Sequence, residues 1–270
     1  MAARNRHHEP RYVLETGMLI VDTHVHIYPH YDQARLLETA LRNLGALRQA
    51  ETEARLGIAL VEREGCDVFG AWAEGVGLPR GARAERQDAT ALELTFEQGD
   101  KLLVFAGRQV ACRERVEILG MLCEAQIADG VSAAEAIEAI IEAEGIPALA
   151  WGAGKWMFKR KSIVERLVRD NSAERLLIGD TAMRPVGWSE SRIMHRERLV
   201  GRRVLAGSDP MPSGAGQEMF VGSYATRIES ERKAEESVSN WLRRALFDPS
   251  ASIERVGRRR GLAQFIRSHF

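Results

Sequence analysis

The residues best suited to chemistry end an apolar run near the start of the chain. Residues 18–27 read MLIVDTHVHI, and the β-branched residues of this run predict a buried strand that ends in two histidines. Alternate side chains of a strand share one face, so we expect His24 and His26 to point the same way while Val25 packs on the other side. Two imidazoles in this arrangement could bind one metal ion or two neighbouring ions. The alternative is a pair of polar side chains that are satisfied locally.

A carboxylate follows a later predicted strand. Residues 203–206 (RVLA) predict that strand, and the turn-forming sequence GSDP follows at residues 207–210. The carboxyl ends of the strands in an α/β barrel meet at one mouth, where we expect Asp209 to face the two histidines. It could ligate a metal ion or act as a general base toward water. The alternative is a helix cap or a turn aspartate.

Two further loops place charged residues after predicted strands. The sequence WGAGKW at residues 151–156 permits close backbone approach at its glycines, and Lys155 offers a positive charge to a phosphate or carboxylate. After another strand, Asp180 could be a metal ligand and Arg184 could clamp an oxyanion with two hydrogen bonds. The alternatives are a packing turn that exposes Lys155 and an Asp180–Arg184 pair that only holds its own loop.

Strands and helices alternate along the chain, which predicts βα units. The clearest helix is residues 132–144, where Ser132 and Glu135 form a capping-box pattern. The predicted strands cover residues 18–27, 56–61, 92–96, 102–105, 116–123, 146–151, 175–178 and 203–206. The predicted helices cover residues 32–50, 66–74, 132–144, 160–169, 189–200 and 230–246. About seven core strands are near the number that a closed barrel needs.

Composition excludes several classes of protein. The chain has 270 residues, of which 45% are hydrophobic, and 38 basic residues balance 38 acidic ones. Zero net charge argues against wholesale binding of nucleic acid or anionic membranes, although a local basic patch stays compatible with it. The three cysteines, Cys66, Cys112 and Cys123, have no CxxC spacing, which argues against a disulfide framework or a zinc ribbon.

Nothing in the sequence predicts export or membrane insertion. No apolar run approaches the roughly 20 residues that a membrane-spanning helix needs. The basic N-terminus lacks the apolar stretch of a signal peptide. We therefore expect a cytoplasmic protein.

The order of these segments resembles the PHP (polymerase and histidinol phosphatase) superfamily of metal-dependent phosphoesterases. Its opening D-x-H-x-H strand end is matched at residues 22–26, its S-D-A-H strand end in part at Ser208-Asp209, and its V-G-x-x-x-T stretch at residues 221–226. The resemblance covers most of residues 18–228. It implies an α/β fold, namely a distorted (β/α)7 TIM-like barrel. This barrel would occupy residues 18–250, between a flexible lead of residues 1–17 and a helical tail of residues 251–270.

Several ligand positions of that superfamily carry other residues in this chain. Gln109 stands where a glutamate is expected. Three expected histidines are replaced by Glu117, Trp151 and Met211. The ligand set that the resemblance then implies is His24, His26, Glu117 and Asp209. Two nitrogens and two carboxylates would suit one divalent ion of zinc, manganese or iron, or two such ions.

The sequence therefore predicts metal-assisted hydrolysis of a small anionic substrate, with a phosphate ester as the first choice. Asp209 or Asp180 would accept the proton of a metal-activated water, while Lys155 and Arg184 would hold the substrate. Neither a membrane nor nucleic acid is indicated as a partner. Amidohydrolases share the HxH opening and the late aspartate, so hydrolysis of a C–N bond or a lactone is a second possibility. The third is a catalytically degenerate barrel that binds a ligand or partner through residues 151–156.

Overall fold

The secondary structure is a mixture of strands and helices, which the computed structural model describes for residues 14–49, 53–212, 216–261 and 264. The strands are β1 (Leu14–Val25), β2 (Arg55–Leu60), β3 (Arg83–Asp88), β4 (Ala91–Thr95), β5 (Lys101–Phe105), β6 (Gly107–Ala111), β7 (Glu117–Met121), β8 (Ile146–Ala150), β9 (Leu177–Thr181), β10 (Val204–Gly207), β11 (Tyr224–Lys233) and β12 (Ser252–Gly257). The helices are α1 (Gln33–Gly45), α2 (Val68–Ala73), α3 (Ala133–Glu142), α4 (Lys159–Asp170), α5 (Arg192–Leu199) and α6 (Val238–Phe247), with one 3-10 turn at Gln217–Phe220. No described helix combines the length and the apolar character needed to cross a bilayer.

The described strands form two sheets rather than one closed barrel. The first sheet has the order β12-β11-β1-β2-β5-β4-β3, and the second has the order β10-β9-β8-β7-β6. Parallel pairs such as β1–β2 and β8–β9 lie beside antiparallel pairs such as β1–β11 and β6–β7. The predicted α/β class is confirmed, but the hydrogen bonding of these strands does not give the single TIM-like barrel that was expected.

One apolar cluster fills the space between the two sheets. It contains Leu19 and Val21 of β1, Leu119 of β7 and Leu205 of β10, each almost fully buried. The opposite faces of the sheets pack under helices: Ile20 belongs to a cluster that includes residues of α1, and another cluster lies under α3, α4 and α5. The central strands therefore contribute alternate residues to an inner and an outer layer.

The two sheets meet along two seams. At one seam, the Asp209 amide donates to the His24 carbonyl at 2.9 Å, which joins the ends of β1 and β10. At the other, the Glu62 amide donates to the Gly107 carbonyl at 3.1 Å, which joins β6 to the residues after β2. Both seams depend on a glycine: a Cβ at Gly107 would lie 2.7 Å from the Leu60 carbonyl oxygen, and one at Gly207 would lie 2.3 Å from the Cβ of His24.

The C-terminal part of the chain differs from the prediction. The single helix expected over residues 230–246 is divided, because β11 continues to Lys233 and α6 begins at Val238. The expected helical tail contains strand β12 instead, paired with β11. The charged residues on the exposed face of β11 gave a pattern that predicted a helix. Pairing with β1 on one side and β12 on the other makes this segment a strand.

The N-terminal boundary also differs. β1 begins at Leu14, four residues before the predicted strand and inside the expected lead of residues 1–17. Its first residues pair with the end of β11, with Leu14 opposite Lys233. Residues 1–13 lie outside the described part of the chain, as do residues 262, 263 and 265–270 of the expected tail.

Candidate metal centre

A β-bulge sets the direction of the two histidines. The pairing of β1 with β2 shifts between Asp22 and Val25, where β1 gains one residue over its partner. Before the bulge, odd-numbered residues such as Val21 face the space between the sheets; after it, Val25 joins the outer cluster and even-numbered residues face inward. The bulge thus turns His24 and His26 toward the interior, a use of bulges that is common beside active sites.

Asp22 holds this bulge in place. One carboxylate oxygen accepts hydrogen bonds from the amides of His24 and Ser208 at 3.2 and 2.8 Å, and the other accepts one from the Gly222 amide at 2.7 Å. Burial raises the pKa of Asp22 to about 6, although these amides lower it. A single side chain therefore ties the ends of β1 and β10 to the loop before β11.

Three of the predicted ligands converge at this point. The Nε2 atoms of His24 and His26 are 3.1 Å apart, and they lie 3.5 and 3.9 Å from Oδ1 of Asp209. One ligand atom from each residue falls within 4.8 Å of the other two. Two imidazole nitrogens and one carboxylate oxygen at these separations are a donor set that fits a divalent transition metal.

The electrostatics of the site suit metal binding. Burial and the neighbouring His24 lower the pKa of His26 to about 3, so its imidazole is neutral at physiological pH and keeps a lone pair for a metal. Burial pushes the pKa of Asp209 upward, but His24, His26 and Lys155 outweigh it and lower that pKa overall. Asp209 therefore stays ionised, as a metal ligand must.

Asp209 has an unusual backbone that points its carboxylate inward. Its φ is +50°, in the left-handed region that asparagine and aspartate adopt more readily than most residues. The Thr181 hydroxyl donates to its Oδ2 at 3.1 Å, which leaves Oδ1 directed toward the histidines. The side chain remains 19% exposed, so a substrate can reach it.

Lys155 and Gln109 border the three ligands, whereas Glu117 does not join them. Gln109 Oε1 lies 3.3 Å from His24 Nε2, so the amide oxygen that replaces the expected glutamate points at the site. The positive charge of Lys155 lowers the pKa of Asp209, and the Lys155 ammonium forms an ion pair with Glu117. Glu117 is placed at the start of β7 and is not part of the group formed by His24, His26 and Asp209.

Asp180 and Arg184 are placed in a separate buried network. Arg184 donates to both oxygens of Asp180 at 2.8 and 2.6 Å, and Arg255 and Tyr224 each donate to Oδ2 at 2.8 Å. Successive residues of a strand point to opposite faces, so Asp180 points away from the side on which Thr181 meets Asp209. With its carboxylate fully engaged, Asp180 forms the loop-holding pair with Arg184 that was the alternative reading of these two residues.

The sequence analysis missed one cation at the site. Arg260 is only 2% exposed, and it donates to Gln217 Oε1 at 2.6 Å and to the Asp209 carbonyl at 3.4 Å. Burial lowers the pKa of Arg260 to about 10. Residues 258–260 form a run of three arginines, a pattern typical of a solvated surface, and nothing in this run indicates that its last member is buried.

Comparison with known proteins identifies similar folds. Neither a protein-family profile nor a curated protein matches the amino-acid sequence. PsfC from Pseudomonas syringae PB-5123 is similar with a TM-score of 0.53 and 16% identity, over 94% of this chain and 95% of that one. The lesion-specific endonuclease PfuEndoQ from Pyrococcus furiosus has a TM-score of 0.52 and 11% identity, over 89% of this chain and 59% of that one. Endonuclease Q in complex with a 27-mer duplex that has an abasic lesion at the active site has a TM-score of 0.51 and 10% identity, over 90% of this chain and 60% of that one.

These likenesses concern the fold. The fold is shared with endonuclease Q, and the divergent PHP-like resemblance predicted from the motifs is confirmed at the level of the fold alone. Identities of 10 to 16% show no more than that. The chain spans about three fifths of the length of endonuclease Q, with 59% of that chain covered.

Proposed function

We propose that this protein is a metal-dependent hydrolase that cleaves phosphate esters. The observation that carries the proposal is the convergence of His24, His26 and Asp209 at the seam between β1 and β10. The bulge, the Asp22 hydrogen bonds and Gly207 all position these residues, and together they make a prebuilt ligand set. The fold similarity to an endonuclease supports a phosphate ester as the bond that is cleaved.

The chemistry divides between the metal and the protein. A divalent ion of zinc, manganese or iron held by His24, His26 and Asp209 would polarise a phosphoryl oxygen and lower the pKa of a water molecule. Gln109 would place a neutral oxygen donor beside His24. Thr181 would hold Asp209 by its Oδ2, so that Oδ1 stays directed toward His24 and His26.

Lys155 supplies the positive charge that the substrate needs. Its ammonium is 32% exposed and close enough to the site to lower the pKa of Asp209. A phosphoryl oxygen that enters the site would compete with Glu117 for this ammonium. Lys155 would then neutralise the negative charge that grows on the phosphoryl group in the transition state.

The two sheets are proposed to be an opened form of the barrel that the PHP resemblance implies. Seven strands would complete the ring in the order β1, β2, β6, β7, β8, β9 and β10. The seam between β2 and β6 consists of the bridge between Glu62 and Arg108, and the seam between β10 and β1 consists of the Asp209 hydrogen bond to His24. This arrangement would place the metal centre at the mouth, where the barrel enzymes have theirs.

The test is hydrolysis of bis(p-nitrophenyl) phosphate with added Mn²⁺ or Zn²⁺. Wild-type protein should release nitrophenolate, and His24→Ala and Asp209→Ala should each remove the activity. His30→Ala is the matched control, because His30 is an exposed histidine of the same segment that does not belong to the ligand group. The control should retain wild-type activity.

Two results would contradict the proposal. Equal hydrolysis by wild type, His24→Ala and His30→Ala would show that the converging ligands play no part. Hydrolysis of amides or lactones with none of phosphate esters would show an amidohydrolase-type reaction at the same centre.

A further inference from the structure

An apolar side chain is presented to solvent on the loop that also carries Lys155. Phe158 is 85% exposed, the largest exposure among the large hydrophobic side chains that the structure describes as exposed, and its neighbour Met157 is 45% exposed. The loop that carries them leaves the end of β8, where the Trp156 indole donates to the Ala150 carbonyl at 2.8 Å. Phe158 follows Lys155 by three residues, so it lies at the same edge of the sheet as the metal centre.

Phe158 has no evident structural role. It is the residue before α4, yet its side chain makes no capping hydrogen bond. Its φ of +55° and ψ of −133° belong to a region that is dominated by glycine at the corresponding turn position. A glycine would fit this backbone better, and packing does not require an aromatic ring that is almost wholly in water. Strained, exposed positions of this kind cluster at functional sites.

Basic residues follow Phe158 in the chain. Lys159 and Arg160 follow it directly, and Arg160 reaches the carbonyl of Arg115 at 3.5 Å. None of Lys159, Arg160 and Arg115 has a carboxylate partner among the described residues, whereas the nearby Lys161 pairs with Glu165 at 3.7 Å. We call Phe158, Lys159, Arg160 and Arg115 the rim patch.

We propose that the rim patch binds a single-stranded nucleic acid. One base would stack on Phe158, while Lys159, Arg160 and Arg115 contact the phosphates on either side. The inference rests on the proposed function and deepens it, since it makes the substrate a phosphodiester within a nucleic-acid strand. A chain of negative charges with flat rings at regular intervals matches a patch that combines an exposed ring with cations that have no carboxylate partner among the described residues.

Other anionic partners fit less well. An acidic peptide has the charge without the flat rings, and a membrane surface would call for a wider apolar face than one phenylalanine and one methionine. The zero net charge of the chain is compatible with the proposal, because the positive charge is local to one rim. Stacking requires an unpaired base, so a single strand should bind better than a duplex of the same sequence.

The test is fluorescence anisotropy with the full-length protein as purified and a phosphorothioate oligothymidylate, which resists hydrolysis. Phe158→Ala should bind this strand roughly tenfold more weakly than wild type, because it loses one stacked base. Leu199→Ala is the matched control: Leu199 is 69% exposed on α5, and its removal should leave binding unchanged. Phe158→Trp should restore binding. Lys159→Ala should reduce the slope of log affinity against log salt by about 0.7, the loss of one phosphate contact.

The outcomes separate this inference from the proposed function. Equal binding by Phe158→Ala and Leu199→Ala, with metal-dependent hydrolysis of bis(p-nitrophenyl) phosphate intact, would overturn the rim patch and leave the phosphoesterase standing. If Phe158→Ala weakens binding but the protein neither binds metal nor cleaves the small ester, the rim patch stands and the phosphoesterase is overturned.

Discussion

At the residue scale, Gly207 is the position on which the metal centre depends most. A Cβ there would lie 2.3 Å from the Cβ of His24 and 2.5 Å from its amide nitrogen, so β10 could not approach β1. Any larger residue must push apart the two strands that carry the ligands. The seam, and not only the ligands, is therefore part of the site.

We predict that Gly207→Ala lowers the free energy of unfolding by about 3 kcal/mol, as overpacking in a tight core does. It should also weaken metal binding, since His24 and Asp209 would separate. Gly179→Ala on the neighbouring strand is the control: its Cβ would meet Leu119 at an ordinary 3.5 Å and should cost about 1 kcal/mol or less. Denaturant unfolding measures the free energy of unfolding of both variants. Equal losses of stability in Gly207→Ala and Gly179→Ala would show that the seam is not tight.

Lys155 provides a second test at the residue scale. If it neutralises charge in the transition state, Lys155→Ala should lower kcat on the phosphodiester by about 100-fold, while Lys155→Arg retains part of the activity. Lys101→Ala removes an exposed lysine that also pairs with a glutamate, and it should change nothing. A rise in KM with kcat intact would instead assign Lys155 to substrate binding alone.

At the element scale, the Asp180 network joins β9, β11 and β12. Burial pushes the pKa of Asp180 upward, but Arg184 and Arg255 outweigh it and hold that pKa below its ordinary value of 3.8. The unfolded chain then binds a proton more readily than the folded one. The stabilisation is complete above about pH 4 and is lost as pH falls toward the folded pKa.

We predict that Asp180→Asn costs about 3 kcal/mol near neutral pH, because the buried guanidinium of Arg184 loses its counterion and the partly buried Arg255 keeps only Glu190. The loss should shrink as pH falls below 4, because the unfolded wild-type chain then takes up a proton at Asp180 before the folded one does. Asp170→Asn, at an exposed pair with Arg169, is the control and should be nearly neutral. Urea titrations over a range of pH measure the difference. A cost for Asp180→Asn that stays constant down to pH 2 would contradict this account.

How much the sequence reveals differs between the elements. The strand before the histidines, the strand before Asp209 and helix α3 with its Ser132–Glu135 capping box all follow local rules, and all are present. β11 and β12 depend on partners distant in the chain, and their charged residues gave no strand pattern. The bulge in β1 is equally invisible in sequence, since strict alternation from Val21 would have turned both histidines the other way.

The ligand set shows the same division. The HxH spacing and the aspartate after β10 were sufficient to predict three converging side chains. The fourth predicted ligand, Glu117, was assigned from resemblance alone, and the structure pairs it with Lys155. Arg260 reaches the site only because β12 pairs with β11 and returns the chain to the mouth, a path that no local pattern indicates.

At the scale of the whole molecule, metal binding should be linked to stability. His24 lies in β1, His26 directly follows that strand, and Asp209 is the second residue after β10 of the other sheet, so an ion would join the two sheets. A ligand that binds only the folded state adds about 2.7 kcal/mol when its concentration is a hundred times Kd. We predict that saturating Mn²⁺ or Zn²⁺ raises Tm of wild type and that a chelator reverses the rise. Asp209→Ala should show no response, and an equal rise in both proteins would place the ion elsewhere.

The most direct test of the account is the metal content of the protein itself. Elemental analysis would compare wild type, purified without chelator or a histidine tag, with the double variant His24→Ala, Asp209→Ala. The account predicts about one or two equivalents of a transition metal in wild type and none in the variant. Absence of metal from both, even after incubation with Mn²⁺ or Zn²⁺, would contradict the metal centre and the hydrolase built on it.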